Sequence, residues 1–126
     1  MTGRQVVVVE DNERNMKLFR EVLESSGYRT LEAETGARAV AVTTEHRPDL
    51  VLMDIHLPDI DGVEALRMLR ADERTASIPV LALTAQAMEG DCERLLAAGF
   101  DGYLSKPVNI IDLLEAVRRY CEEGRR

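Results

Sequence analysis

Few features of the sequence point to a secreted or membrane-bound protein. Only two cysteines are present, and the spacing of Cys92 and Cys121 matches no metal or redox motif. They could form at most one disulfide, and we interpret them as reduced residues on helices. No apolar run approaches the roughly 20 residues that span a bilayer, and no signal-peptide core follows the N-terminal methionine. We therefore expect a cytoplasmic protein without membrane insertion.

Basic residues are also in the minority. The 16 Lys and Arg residues face 23 Asp and Glu residues, which gives a formal net charge of −7. Nucleic-acid phosphates are bound by basic faces, so this excess argues against direct nucleic-acid binding, although acidity is also a common solubility feature. Internal repeats and Pro- or Ser-rich linkers are missing. A chain of this length, 45% hydrophobic, predicts one domain over residues 1–126.

Short apolar runs alternate with helical patterns along the chain. Val6–Val9, Leu50–Met53 and Val80–Leu83 are continuous apolar runs, which are typical of strands buried on both faces. Tyr28–Leu31 and Gly102–Leu104 are weaker strand candidates. These runs predict five strands.

Apolar residues recur at helical spacing in the five segments between and after these strands. The predicted buried stripes are Met16, Phe19, Val22 and Leu23; Ala37, Val40, Ala41 and Thr44; Val63, Leu66 and Leu69; Cys92, Leu95 and Leu96; and Ile110, Leu113, Leu114, Val117 and Cys121. Asn109 is a suitable N-cap for the fifth helix, and Gly27 and Gly99 mark the ends of two others. Alternating strands and helices predict a doubly wound α/β fold with a parallel sheet. The simplest arrangement is a flavodoxin-like (βα)5 sandwich with strand order 2-1-3-4-5.

Polar residues follow the predicted strands. Glu10 and Asp11 come after the first strand, Asp54 after the third, Thr84 after the fourth and Lys106 after the fifth. Carboxyl ends of parallel strands share one rim of the sheet, so we expect these side chains to converge. Three clustered carboxylates repel one another, and Mg²⁺ would relieve that repulsion. A carboxylate nucleophile, a metal, an ammonium group and a hydroxyl together suit phosphoryl transfer.

Each of these residues also has an ordinary structural role available. Glu10 and Asp11 would cap the first helix, and Asp54 would open a turn. Thr84 would end a strand, and Lys106 would be a surface lysine. Their joint position at the ends of different strand–helix units favours a shared site over five separate structural roles.

The chain resembles the receiver-domain family of two-component signalling proteins over nearly its whole length. The motifs that carry the resemblance are Val-Val-Glu10-Asp11-Asn, Leu-Met-Asp54-Ile-His-Leu-Pro58, Asp61-Gly62, Leu-Thr84-Ala85 and Tyr103-Leu-Ser-Lys106-Pro107. The resemblance implies that Asp54 is phosphorylated. It also implies a Mg²⁺ site, with Mn²⁺ as an alternative cation, formed by Asp11, Asp54 and the backbone carbonyl of His56. Glu10, which stands where Asp is frequent in the family, would act on that metal through water.

The resemblance also gives roles to residues of the last two strands. Thr84 and Lys106 would contact the phosphoryl group, and the peptide bond between Lys106 and Pro107 would be cis. Tyr103 would be a switch aromatic that rotates when Thr84 moves toward the phosphoryl group. The face made by the fourth helix, fifth strand and fifth helix would then contact a downstream protein.

The expected partners follow from the same resemblance. A sensor histidine kinase or a histidine phosphotransferase would supply the phosphoryl group. No further domain follows the fifth helix in this sequence, so we expect output through phosphorylation-dependent protein contacts. Catalysis would be limited to the chain's own phosphorylation and dephosphorylation. The segment Glu10–Phe19 and the ending after Pro107 are similar to single-domain regulators of bacterial cell-cycle kinases, which adds cell-cycle control as an expectation.

Three other functions fit the sequence less well. A phosphoaspartate hydrolase needs a second acid two residues after the nucleophile, where this chain has His56. A nucleotide or flavin binder needs a Gly-rich phosphate loop after the first strand, where Glu10 and Asp11 would repel phosphate. A receiver that has lost its chemistry would not need the full set of acids, threonine and lysine, and a phosphodonor assay distinguishes that alternative.

Overall fold

Strands and helices alternate throughout the computed structural model, which describes residues 3–85 and 89–124. The strands are Gln5–Val9 (β1), Arg29–Ala33 (β2), Leu50–Asp54 (β3), Val80–Thr84 (β4) and Gly102–Ser105 (β5). The helices are Glu13–Ser25 (α1), Gly36–His46 (α2), Gly62–Ala71 (α3), Glu89–Ala98 (α4) and Ile110–Glu123 (α5). No helix in this part of the chain has both the length and the apolarity that crossing a membrane requires.

The five strands form one parallel sheet in the order β2-β1-β3-β4-β5, so the predicted topology is confirmed. β1 lies between β2 and β3, and Val7 pairs with Leu31 on one side and Val51 on the other. Every residue of β3 and β4 is buried, because helices cover both faces of the sheet. All five carboxyl ends therefore lie at one edge, which we call the carboxyl edge.

Alternate residues of the strands build two apolar cores, one on each face of the sheet. The core under α2, α3 and α4 contains Val7, Val9, Val51, Met53, Ala82, Leu66, Leu69 and Leu95. The core under α1 and α5 contains Val6, Val8, Leu50, Leu52, Leu81, Leu83, Phe19, Leu23, Leu113 and Val117. This alternation leaves Glu10, Asp54 and Thr84, at the strand ends, as the buried polar side chains of the sheet.

Half of the stripe predicted for α2 is wrong: Val40 packs against the core and Thr44 is partly buried, but Ala37 and Ala41 are exposed. The buried residues of this helix are Gly36, Ala39, Val42 and Thr43. Small and β-branched residues lie all around α2, so periodicity alone does not identify its buried face. The packing of the loop after β3 determines which face of α2 is buried. Ile60 of that loop lies so close to Gly36 that a Cβ at this position would overlap its side chain. Two residues of the other predicted stripes, Leu96 and Ile110, are exposed as well.

Side-chain caps begin several helices directly after the carboxyl edge. Asn12 accepts the backbone N–H of Asn15 at the start of α1, and Asp61 accepts that of Glu64 at the start of α3. Asn109 caps α5, as predicted from the sequence. These caps fix the loops that carry the polar residues of the edge.

Candidate functional site

The three predicted acids converge at the carboxyl edge. Glu10 and Asp11 lie in the turn between β1 and α1, and Asp54 is the last residue of β3. Their carboxylate oxygens lie within 4.8 Å of one another. Glu10 is 1% exposed and Asp54 is 4% exposed, whereas Asp11 is exposed. A groove of about 260 Å³ lined in part by Glu10 and Asp11 opens beside them.

Lys106 joins the two buried acids from the end of β5. Its Nζ donates to Asp54 Oδ2 at 2.7 Å and to Glu10 Oε1 at 2.9 Å. Burial by itself lowers the pKa of the ammonium group, but the hydrogen bonds to Asp54 and Glu10 outweigh it and raise that pKa above its ordinary value. Lys106 is therefore a fixed positive charge. The peptide bond from Lys106 to Pro107 is cis.

Both carboxylate oxygens of Asp54 are held by donors. Oδ1 accepts the backbone N–H of His56 at 2.9 Å, and Oδ2 accepts Lys106. Burial raises the pKa of Asp54, but hydrogen bonds with Glu10, Lys106 and the His56 N–H act against it and lower the pKa below its ordinary value. Asp54 is thus an oriented anion at neutral pH, which is the state that a carboxylate nucleophile needs.

Glu10 has the opposite electrostatic behaviour. Burial and the hydrogen bond with Asp54 raise its pKa to about 7, although Lys106 and Asn15 act to lower it. The amide Nδ2 of Asn15 donates to Glu10 Oε1 at 2.8 Å. When all three acids are ionised, the cluster carries more negative charge than Lys106 balances.

The donor chemistry of the cluster fits a hard divalent cation. Asp11, Glu10 and Asp54 offer carboxylate oxygens only, which Mg²⁺ prefers over nitrogen and sulfur. The exposed Asp11 leaves room for the water ligands that Mg²⁺ retains. A cation here would also offset the repulsion between the carboxylates.

The loop after β3 is held close to Asp54. Asp59 accepts the backbone N–H groups of Gly36 at 2.7 Å and Ala37 at 2.9 Å, and these bonds lower its pKa. Gly62 is required at the end of the loop, since a Cβ there would lie 2.7 Å from the carbonyl oxygen of Asp54. This packing fixes the path of the loop segment that contains His56.

Thr84 and Tyr103 project from the same face of the sheet. Thr84 is buried at the end of β4, one residue beyond Leu83, the pairing partner of Asp54. Tyr103 pairs with Ala82, two residues before Thr84, and is 40% exposed. The thiol of Cys92 on α4 interacts with the Tyr103 hydroxyl and raises the pKa of Tyr103 above its ordinary value. Tyr103 thus lies on the α4 side of the sheet, two positions before the strand end that carries Thr84.

Two contacts of the site do not follow from the sequence pattern. The contact of Asn15 with Glu10 is one of them, because an asparagine in the first turn of a helix is not by itself typical of a functional site. Its position five residues after Glu10 is the one feature of the sequence that indicates a contact across the turn. The family resemblance gives a role to the backbone carbonyl of His56, and the structure adds a second contact, because the His56 N–H donates to Asp54. Every residue except proline has a backbone N–H, so the residue type does not indicate which N–H donates to Asp54.

Comparisons with known proteins agree with this geometry. The family model described as "Response regulator receiver domain" matches residues 6–118. The polar-differentiation response regulator DivK of Brucella anthropi is 46% identical over 121 residues, covering 96% of this chain and 98% of that protein. DivK of Brucella ovis matches to the same extent.

Solved structures of receiver domains share the fold of this chain. The receiver domain of the sensor histidine kinase PA1611 from Pseudomonas aeruginosa has a TM-score of 0.88 and 38% identity, covering 95% of this chain and 98% of that chain. That structure has a magnesium ion coordinated in the active site cleft. The receiver domain of the Francisella response regulator 1452 has a TM-score of 0.90 and 26% identity, covering 96% and 98% of the two chains.

Proposed function

The chain belongs to the response regulator receiver domain family of two-component signalling, and we propose that it is a single-domain regulator that accepts a phosphoryl group on Asp54. The observation that carries this assignment is the state of that carboxylate. Asp54 is buried and held by the His56 N–H and Lys106, and its pKa is lowered below its ordinary value. The domain would comprise residues 1–126.

Asp54 acts as the nucleophile in the proposed reaction. A carboxylate oxygen forms a P–O bond to the phosphorus of a phosphohistidine on a sensor kinase or phosphotransferase, and the P–N bond breaks. The imidazole leaves with the electron pair of that bond and takes up a proton from solvent. Lys106 supplies positive charge, and the Thr84 hydroxyl supplies a hydrogen bond, to the oxygens of the transferred group.

Asp11, Asp54 and the backbone carbonyl of His56 would hold Mg²⁺, with Glu10 acting through water. Mn²⁺ accepts the same oxygen ligands and is the alternative cation. When bound, the cation neutralises negative charge on the phosphoryl oxygens. Catalysis by the chain would be limited to its own phosphorylation and dephosphorylation.

The output would depend on Thr84 and Tyr103. A phosphoryl group on Asp54 draws the Thr84 hydroxyl inward, and Tyr103, which lies on the same face of the sheet, rotates into the vacated space. The surface of α4, β5 and α5 then changes shape and binds a downstream protein. The Brucella relatives are polar-differentiation response regulators, which supports a role of this chain in bacterial polarity and cell-cycle control. The chain would act in the cytoplasm.

Binding of beryllofluoride, which stands in for the phosphoryl group, tests this switch by NMR. We expect shift changes at Tyr103 and along α4, and we expect Thr84→Ala to confine them to residues around Asp54. Changes that remain local in the wild-type protein would contradict the switch while leaving phosphorylation itself intact.

Labelling with acetyl phosphate and Mg²⁺ tests the proposed function itself. Intact-mass spectrometry should show one added phosphoryl group on the wild-type protein and none on Asp54→Asn. Asp49→Asn is the matched control, because Asp49 immediately precedes β3 at its opposite end. A receiver that has lost its chemistry would show no labelling in any of the three proteins.

A further inference from the structure

Asn15 is held by two hydrogen bonds in the first turn of α1. Its backbone N–H donates to the Asn12 cap at 3.0 Å, and its side-chain Nδ2 donates to Glu10 Oε1 at 2.8 Å. The cap fixes the backbone of Asn15, so its amide group has a defined position next to the buried Glu10 carboxylate. Asn15 thus links the start of α1 to the acidic cluster.

The other donor to Glu10 is shared with the nucleophile. Lys106 contacts Glu10 at 2.9 Å and Asp54 at 2.7 Å. A phosphoryl group on Asp54 attracts the same ammonium group, and any movement of Lys106 toward it weakens the contact with Glu10. Within the described residues 3–85 and 89–124, the Asn15 amide donates to Glu10 and to no other acceptor, so it is the donor that stays on Glu10.

The length of the Glu10 side chain makes this tether useful. Glutamate has one more rotatable bond than aspartate, so its carboxylate loses more conformational freedom when it is fixed in one place. The Asn15 amide is also neutral. It orients the carboxylate and leaves intact the negative charge that attracts a cation. Lys106 also orients the carboxylate, but its positive charge offsets that negative charge.

We propose that Asn15 is a positioning residue that holds the Glu10 carboxylate toward the divalent cation while the phosphoryl group engages Lys106. This inference rests on the proposed function and deepens it. Asn15 would not contact the phosphoryl group. Its effect on metal binding would pass entirely through Glu10.

A double-mutant cycle on the Mg²⁺ dissociation constant, followed by NMR titration, tests the proposal. Asn15→Ala should weaken Mg²⁺ binding by about tenfold, as is typical when a hydrogen-bond partner of a metal-binding carboxylate is removed. In Glu10→Asp the shortened side chain draws the carboxylate away from Asn15. The same Asn15→Ala change should then alter the dissociation constant by less than about twofold.

Thr35→Ala is the matched control. It removes the hydrogen bond from the Arg38 N–H to the Thr35 hydroxyl at the start of α2 and leaves the contacts of Glu10 unchanged. It should leave Mg²⁺ affinity unchanged. The proposal is overturned if Asn15→Ala binds Mg²⁺ like the wild type, or if it loses affinity equally in the Glu10→Asp background, which would indicate a general effect on α1. A wild-type protein that neither binds Mg²⁺ nor accepts label overturns the proposed function, and this inference with it.

Discussion

Two clusters of buried charge lie at opposite edges of the same sheet, and they differ in charge balance. At the edge where β4 and β5 begin, Arg70 pairs with Asp101 at 2.8 Å, with side chains 15% and 9% exposed. Arg70 also donates to the carbonyls of Ile78 and Gly99, and Asp101 accepts the backbone N–H of Val80. One positive charge meets one negative charge, and backbone groups complete the network.

The carboxyl edge is not balanced in this way. Glu10, Asp11 and Asp54 face one ammonium group, from Lys106. The raised pKa of Glu10 indicates that ionisation of this carboxyl group is unfavourable in the folded chain when no cation is bound. The balanced pair joins three segments of the fold, whereas the excess negative charge at the carboxyl edge favours the binding of a cation.

The largest expected effect comes from removing the ammonium group of Lys106 from the carboxyl edge. Lys106→Met should slow labelling by acetyl phosphate by about 10²-fold, because a positioned donor to the transferred group is lost. Initial rates from intact-mass spectrometry at saturating Mg²⁺ measure this effect. Arg70→Lys, which changes the cation of the balanced cluster, should retain nearly the wild-type rate. Similar losses in the two variants would show that labelling merely follows fold integrity.

The balanced cluster should control stability instead. Asp101→Asn leaves the largely buried Arg70 without its counter-charge, and we expect the free energy of unfolding to fall by about 3 kcal/mol. Urea denaturation in EDTA measures this change. The exposed pair of Arg20 and Glu32 offers a control, since Glu32→Gln should cost about 1 kcal/mol or less. Equal costs for the two substitutions would mean that burial gives the Asp101 pair no special role.

The smallest effect is a pH dependence from Glu10. Its pKa rises from 4.5 to about 7 on folding, so the folded state binds the proton more tightly than the unfolded state does. The associated stability is present at low pH and is lost as pH rises through about 7. In EDTA, the wild type should lose on the order of 1–2 kcal/mol relative to Glu10→Gln between about pH 5 and about pH 8. If the free energy of unfolding depends on pH in the same way in both proteins, Glu10 does not titrate with a raised pKa.

Much of the fold and site could be predicted from the sequence for one physical reason. Buried parallel strands give continuous apolar runs, and the first polar residue after each run marks the carboxyl edge. Asp54 and Thr84 end such runs, and Lys106 follows the weaker fifth strand. The convergence of these three side chains follows from the parallel sheet, which the alternation of strands and helices and the family resemblance both indicate.

Other features depend on geometry that residue types do not encode. The buried face of α2 is chosen by the loop that packs on Gly36, not by a hydrophobic stripe. The contacts of the His56 N–H with Asp54 and of Asn15 with Glu10 depend on the exact path of a turn. Such contacts require a structure because many residue types could make them.

The stabilisation of the protein by Mg²⁺ tests most directly whether the carboxyl edge is a charge-unbalanced site that a cation completes. A ligand that binds only the folded state raises the melting temperature by mass action. Mg²⁺ should raise the melting temperature of the wild type and of Asp101→Asn by similar amounts, and it should have little effect on Asp11→Asn. An Asp11→Asn protein with the full Mg²⁺-dependent shift, or a wild-type protein with none, would contradict the assignment.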